Sequence, residues 1–189
     1  TVDGEGTVLL TESVQLGEGR NASWSHDDVE EELRRTIGAE NAIWLPYGLT
    51  RDNQKFGTRG HVDIVAAIPS PGVVLVHDQQ NPDHPDHAVS ARIREVIAAA
   101  EPGWRIVGVP APTVLADDEG PVDYSYINHL VVNDAVIACS FDDPNDARAA
   151  AILAEVYPGR EIRTVDARPL FERGGGIHCI TQHQPVAGS

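Results

Sequence analysis

Short apolar runs and helical stripes alternate along this chain, and their order predicts its elements. Thr7–Leu10 and Ala42–Leu45 read as strands, short and rich in apolar residues. Between them, Val29, Leu33 and Ile37 recur at four-residue spacing, which predicts one buried face of a helix over 27–37. Ser25 is placed to cap that helix, acidic residues fill its first turn, and Gly38 ends it. Val62–Ile68 and Val73–His77 read as two strands around the turn Pro69-Ser70-Pro71-Gly72. A second helix is predicted over 86–99, with Val89, Ile93, Val96 and Ile97 inward. Strands follow at 105–109, 126–132 and 135–139, then a third helix over 145–156, closed by Pro158-Gly159. A strand at 161–166 follows, and Cys179–Thr181 sits on or beside the last strand. The order strand, strand, helix, strand recurs, though without sequence self-similarity strong enough to establish a repeat. Pattern alone gives an α/β or α+β chain with mixed sheets.

Composition narrows the partners. The 189 residues, enough for one core, carry 29 acidic against 14 basic side chains, a net charge of −15. That balance argues against nucleic acid and anionic membrane surfaces and suits a small cation. No apolar run is long enough to span a membrane. The two cysteines sit in dissimilar surroundings and form no disulfide framework, which fits a reducing cytoplasm. The absence of methionine leads us to expect a chain cut from a longer precursor or stripped of its initiator.

Two segments carry candidate chemistry. In the first, GGGIHCITQHQP at 174–185, three glycines lead into His178 and Cys179. Glycines allow a tight turn and close approach to a ligand, so a cysteine beyond them can face a cleft. Cys139 lies instead in an apolar run, which leaves Cys179 as the candidate nucleophile. The second is GTRGHVDIVA at 57–66. On a strand His61 and Asp63 would point to the same side. His77, His84 and His87 with Asp78, Asp83 and Asp86 are residues of metal-ligand type. Pro82 and Pro85 mark that stretch as a loop, and a solvated polar loop is the favoured reading. An N-terminal threonine such as Thr1 can be a self-processed nucleophile, a third and weaker alternative.

The two segments resemble, in the same order, the cysteine motif GGGNIHCITQQQP and the TNGHID motif of the agmatine deiminase family. That family is related to the Porphyromonas-type peptidylarginine deiminases, within the pentein superfamily. The similarity extends through RNASWSHDDVEEELRRTIGAENAIWLPYGL and VDYSYINHLVVNDAVIACSFDDPNDARAAAIL to nearly all of residues 1–185. Family members are roughly twice as long. The resemblance therefore implies that residues 1–189 are the C-terminal half of such a catalytic domain, supplying about half the repeats of an α/β propeller. It implies a Cys179 nucleophile attacking a guanidinium carbon to form a thiouronium. His61 would move the proton, and Asp63 would bind the guanidinium. Gly175 and Gly176 would lie against the substrate, and Arg59 near its tail. The expected substrate is agmatine; the alternatives are a deiminase of arginine or another guanidino compound, or a non-catalytic pentein binding protein. No cofactor and no metal are implied.

The remaining acids, a Glu in a Glu-Gly-Gly motif among them, would lie upstream of Thr1. A chain or fragment with the N-terminal half is therefore expected as partner, and homo-oligomerisation stays open. The sequence departs from the family pattern at Gly176 for Asn, Arg59 for Asn and His183 for Gln, and at Phe56-Gly57 for an acidic pair.

Overall fold

Helices laid between short strands follow from the alternation of the two periodicities, and a computed structural model describes them for residues 1–54 and 57–184. Phe56 and Pro185, used in the family comparison above, lie outside the described residues. The chain runs through β1 (Thr7–Thr11), α1 (Glu12–Gln15), α2 (His26–Ile37), β2 (Asn41–Leu45), α3 (Val62–Val65), β3 (Ala66–Ser70) and β4 (Val73–Asp78). It continues with α4 (Asp86–Ala100), β5 (Arg105–Pro110), β6 (Ala116–Asp117), β7 (Gly120–Pro121) and β8 (Leu130–Val131). Last come β9 (Ala135–Ser140), α5 (Asp146–Val156), β10 (Glu161–Asp166), α6 (Arg168–Phe171) and a 3₁₀ turn at His178–Ile180.

The recurring order is a recurring topology. β3 pairs antiparallel with β4, α4 crosses over, and β5 returns parallel to β4. β8, β9, α5 and β10 repeat this arrangement, and β1–α2–β2 supplies a parallel pair with its crossover helix. A parallel pair needs such a crossover, which is why each helix falls between the strands it joins. Among the described residues these sheets stay separate, with two or three strands each.

The core follows from the strand alternation. Val74 and Val76 of β4 pack with Leu9, Ile43, Ile93 and Ile97, whereas Leu75 faces the opposite cluster with Tyr126, Phe141 and Leu153. β4 is thus buried on both faces, and its first four residues, Val73–Val76, are all apolar. Each such side chain contributes roughly 1.5–3 kcal/mol on burial. α2 is closed as its sequence requires. Ser25 and Asp28 form a reciprocal capping box, and Gly38 takes the left-handed conformation at φ 69°.

Three expected strands are corrected. Val62–Val65 is a helical turn, and β3 begins only at Ala66. A short apolar run does not distinguish a buried turn from a strand. The stretch 126–132 pairs only at Leu130–Val131. Before it, the Ser125 hydroxyl accepts the Ile127 amide at 3.2 Å and diverts the backbone from the ladder. Cys179 lies on a 3₁₀ turn and not on a strand.

Candidate active site

The loop before α3 is shaped by a buried carboxylate. Asp52 accepts from the amides of Thr58, Gly60 and His61 at 2.7, 2.9 and 2.8 Å, and from the Thr58 hydroxyl. Arg59 and Gly60 take φ values of 75° and 95° to complete the turn. A Cβ on Gly60 would lie 2.6 Å from the Gly48 nitrogen, so only glycine fits here. His61 is then extended and caps α3, and Asp63 falls in its first turn.

That geometry overturns the expectation that His61 and Asp63 share one side of a strand. The Arg20 guanidinium lies 3.3 Å from Nε2 of His61, in position to donate to it. Asp63 turns toward the cysteine segment instead. The two residues nevertheless border one cavity of about 310 Å³, together with Arg20 and His178.

On the other side, Gly174 turns the chain at φ 92° and delivers the 3₁₀ turn that carries Cys179. The turn places His178 and Cys179 on one acceptor. His178 Nδ1 lies 2.6 Å from Asp63 Oδ2, and Cys179 Sγ lies 3.5 Å from the same oxygen. The other carboxylate oxygen, Oδ1, is buried without a hydrogen-bond partner among the described residues. Gly175 packs against Cys179, where a Cβ would come within 3.0 Å of the sulfur.

Asn128 joins the two segments. It is fully buried, and its Oδ1 accepts the His178 amide at 2.9 Å. Its Nδ2 donates to the Asp63 carbonyl and to Cys179 Sγ, both at 3.2 Å. Gly176 lies so close that a Cβ there would be 2.4 Å from Asn128 Oδ1. Ser125 ties the same stretch to α3 by donating to the Ile64 carbonyl at 2.7 Å.

The charges set the resting state. Burial, and then the adjacent Asp63 charge, push the Cys179 thiol up to about 11; the Gly176 amide and Asn128 pull it the other way. Burial alone would raise Asp63, but hydrogen bonding and charge from His178, with the His61 charge behind them, hold it below the usual carboxylate range. The site at rest therefore holds a carboxylate beside a protonated thiol. A cation set against Asp63 would cancel its repulsion and favour the thiolate. Cys139 differs: it is buried, its thiol is pushed up to about 12 chiefly by burial, and it donates to the Asn128 carbonyl at 3.0 Å.

The other candidates fall elsewhere. Arg59 is exposed, with its guanidinium against Gly19. Of the polar residues at 77–87, His84 and Asp86 lie together, with Nδ1 and Oδ2 3.7 Å apart, and the other histidines have separate partners. His77 pairs with Ser125, His84 with the Leu115 carbonyl, His87 with the Gln79 carbonyl, and Asp86 with Thr50. Among the described residues, no group of His, Cys, Asp or Glu is arranged to hold a metal ion. No helix there is long and apolar enough to cross a membrane. Asp52 and the His178–Asp63 pair escape a reading of the sequence. Asn128 shows in it only as the last residue of a Ser-Tyr-x-Asn run at 125–128 within the block that resembles the family.

The chain is similar over nearly its whole length to known proteins. The family described as Porphyromonas-type peptidyl-arginine deiminase matches residues 1–185. A candidate agmatine deiminase of Streptomyces coelicolor is 54% identical over 97% of this chain and 56% of its own length. An agmatine deiminase of Ectopseudomonas mendocina is 37% identical over 98% of this chain and 55% of its own. The solved agmatine deiminase of Enterococcus faecalis superposes with a TM-score of 0.87 at 29% identity, over 97% of this chain and 55% of that one. The chain thus spans about half the length of the relatives it matches. Because the match takes in nearly every residue, including both the His61–Asp63 and the Cys179 segments, the chain belongs to the Porphyromonas-type peptidyl-arginine deiminase family.

Proposed function

We propose that this chain forms the C-terminal half of a guanidino-group hydrolase that converts agmatine to N-carbamoylputrescine and ammonia. The observation that carries the reading is the buried Oδ1 of Asp63, unpartnered among the described residues, next to an Oδ2 that lies 3.5 Å from Cys179 Sγ. A planar cation bound through Asp63 would present its carbon to the sulfur and supply the acceptor's missing partner. The same cation would lower the thiol pKa, so deprotonation accompanies binding. The thiolate then attacks the guanidinium carbon. The C–N bond breaks with proton transfer to the departing ammonia, leaving a thiouronium on Cys179. Water adds to that carbon, and the C–S bond breaks to give the ureido product and the thiolate. His61, on the cavity shared with Asp63 and His178, would move the proton in both steps.

Two ββαβ units and one incomplete unit amount to about half of a closed propeller. The remaining units and acids would come from the other half, as a continuous chain or a separate partner. The net charge of −15 favours agmatine over arginine, whose carboxylate it would repel. The test is a ureido assay on the whole protein with agmatine and arginine in parallel. Agmatine should give product with the higher kcat/KM, and Cys179→Ser should lose at least about 10³-fold in kcat, because a serine hydroxyl is scarcely ionised. Undiminished turnover by Cys179→Ser would end the mechanism. Product from arginine alone would reassign the substrate.

A further inference from the structure

The cysteine of this site stands on a neutral amide that no charge argument calls for. We infer that Asn128 positions the Cys179 sulfur and sustains its thiolate, an inference that rests on Cys179 being the nucleophile.

Three observations converge on it. First, the Asn128 side chain is fully buried, and its polar groups are committed in one direction only. Oδ1 takes the His178 amide at 2.9 Å, which orients the whole amide plane. With Oδ1 so fixed, Nδ2 has to face the Asp63 carbonyl and Cys179 Sγ, each at 3.2 Å. An amide flip would set an oxygen against that carbonyl and an N–H against the His178 amide, losing both backbone bonds. Second, Gly176 is shaped around this side chain. Any side chain at 176 would run into Asn128 Oδ1 at 2.4 Å and the Phe171 ring at 2.8 Å. Third, the backbone of Asn128 is itself anchored, its carbonyl accepting the Cys139 thiol at 3.0 Å.

The chemistry follows from which bonds survive ionisation. As a thiol, Cys179 can donate to Asp63 Oδ2 at 3.5 Å. As a thiolate it has no proton to give, and that contact becomes repulsive. The Asn128 N–H persists and strengthens, because donors to an ionised acceptor bond more strongly. The surrounding titratable groups do not replace it. Asp63 opposes the thiolate, and His178 is engaged with Asp63. His183 lies beyond, its ring 6.1 Å from that of His178. Buried His129 is occupied by the Tyr126 carbonyl and the Tyr157 hydroxyl, and Cys139 faces the backbone of Asn128.

The experiment follows iodoacetamide alkylation of Cys179 against pH in the whole protein, with and without Asn128→Leu. The variant keeps the volume and removes the donor without adding a charge. Its alkylation midpoint should move at least one pH unit alkaline, a tenfold or greater loss of alkylation rate near neutrality. Its melting transition should stay cooperative. A merely structural role would shift the melting temperature and leave the midpoint in place, and that result would overturn the inference. Should the variant not fold, ¹⁵N-asparagine labelling of the unmutated protein gives a second readout. The Asn128 amide resonances should titrate with the Cys179 midpoint and stop doing so in Cys179→Ala. Resonances that stay still through that midpoint would overturn it equally. Neither readout uses turnover, so a failure here is distinct from a failure of Cys179 as nucleophile.

Discussion

Asp123 offers a sharp test of how this scaffold handles buried charge. It is 7% exposed, and burial, followed by the charges of Asp52 and then partly offset by Arg51, raises its carboxyl from 3.8 to about 6. The Arg51 guanidinium is engaged elsewhere, with Asp117 at 2.6 Å and Glu119 at 2.7 Å. A folded-state pKa above the unfolded one stabilises the protein fully only below the unfolded value. The contribution is lost as pH rises through about 6. A difference of about two units corresponds to roughly 3 kcal/mol withdrawn from the native state above that range. Asp123→Asn removes the charge and keeps the shape. Allowing for the cost of burying the amide, the variant should be more stable by about 1–3 kcal/mol at pH 8 and show no advantage at pH 4. Urea unfolding of both proteins at the two pH values measures this, and groups common to both cancel in the difference. A variant no more stable at pH 8, or equally favoured at pH 4, would refute the reasoning.

Two further predictions probe the core around the site. Gly176→Ala would force a Cβ to 2.4 Å from Asn128 Oδ1 and 2.8 Å from Phe171, so it should cost about 1–3 kcal/mol in thermal unfolding. It should also slow Cys179 alkylation, and an unchanged melting temperature would contradict the close packing. His129 and His77 are each held neutral down to about 4, chiefly by burial. Their stabilisation is complete above about 6.5 and drains as pH falls toward 4, by about 3 kcal/mol each. His129→Gln should therefore lose less stability than the parent between pH 7 and 4.5, and equal losses in urea titrations would count against it.

Much of the fold was legible because its signals are local. The apolar spacing of Val29, Leu33 and Ile37, the Ser25 cap and Gly38 together specify α2 without help from the rest of the chain. The alternating order of runs carried the repeated ββαβ topology, because a parallel strand requires a crossover of helical length. Val62–Val65 was not legible. Its apolar side chains satisfy a strand as well as a buried turn, and the choice is made by Asp52, which holds the Gly60 and His61 amides from eight and nine residues upstream.

That one ambiguity also rearranged the site. Alternation along a strand would put His61 and Asp63 together and send His178 and Cys179 to opposite faces. Turns at both places reverse this pairing. The helical turn leaves Asp63 facing the cysteine segment, and the 3₁₀ turn brings His178 and Cys179 to a single oxygen of Asp63, at 2.6 and 3.5 Å. The motifs therefore marked which segments meet, but not which side chains touch. Asn128, 51 residues from the cysteine, hydrogen-bonds to both segments, and no spacing within either motif encodes that distance.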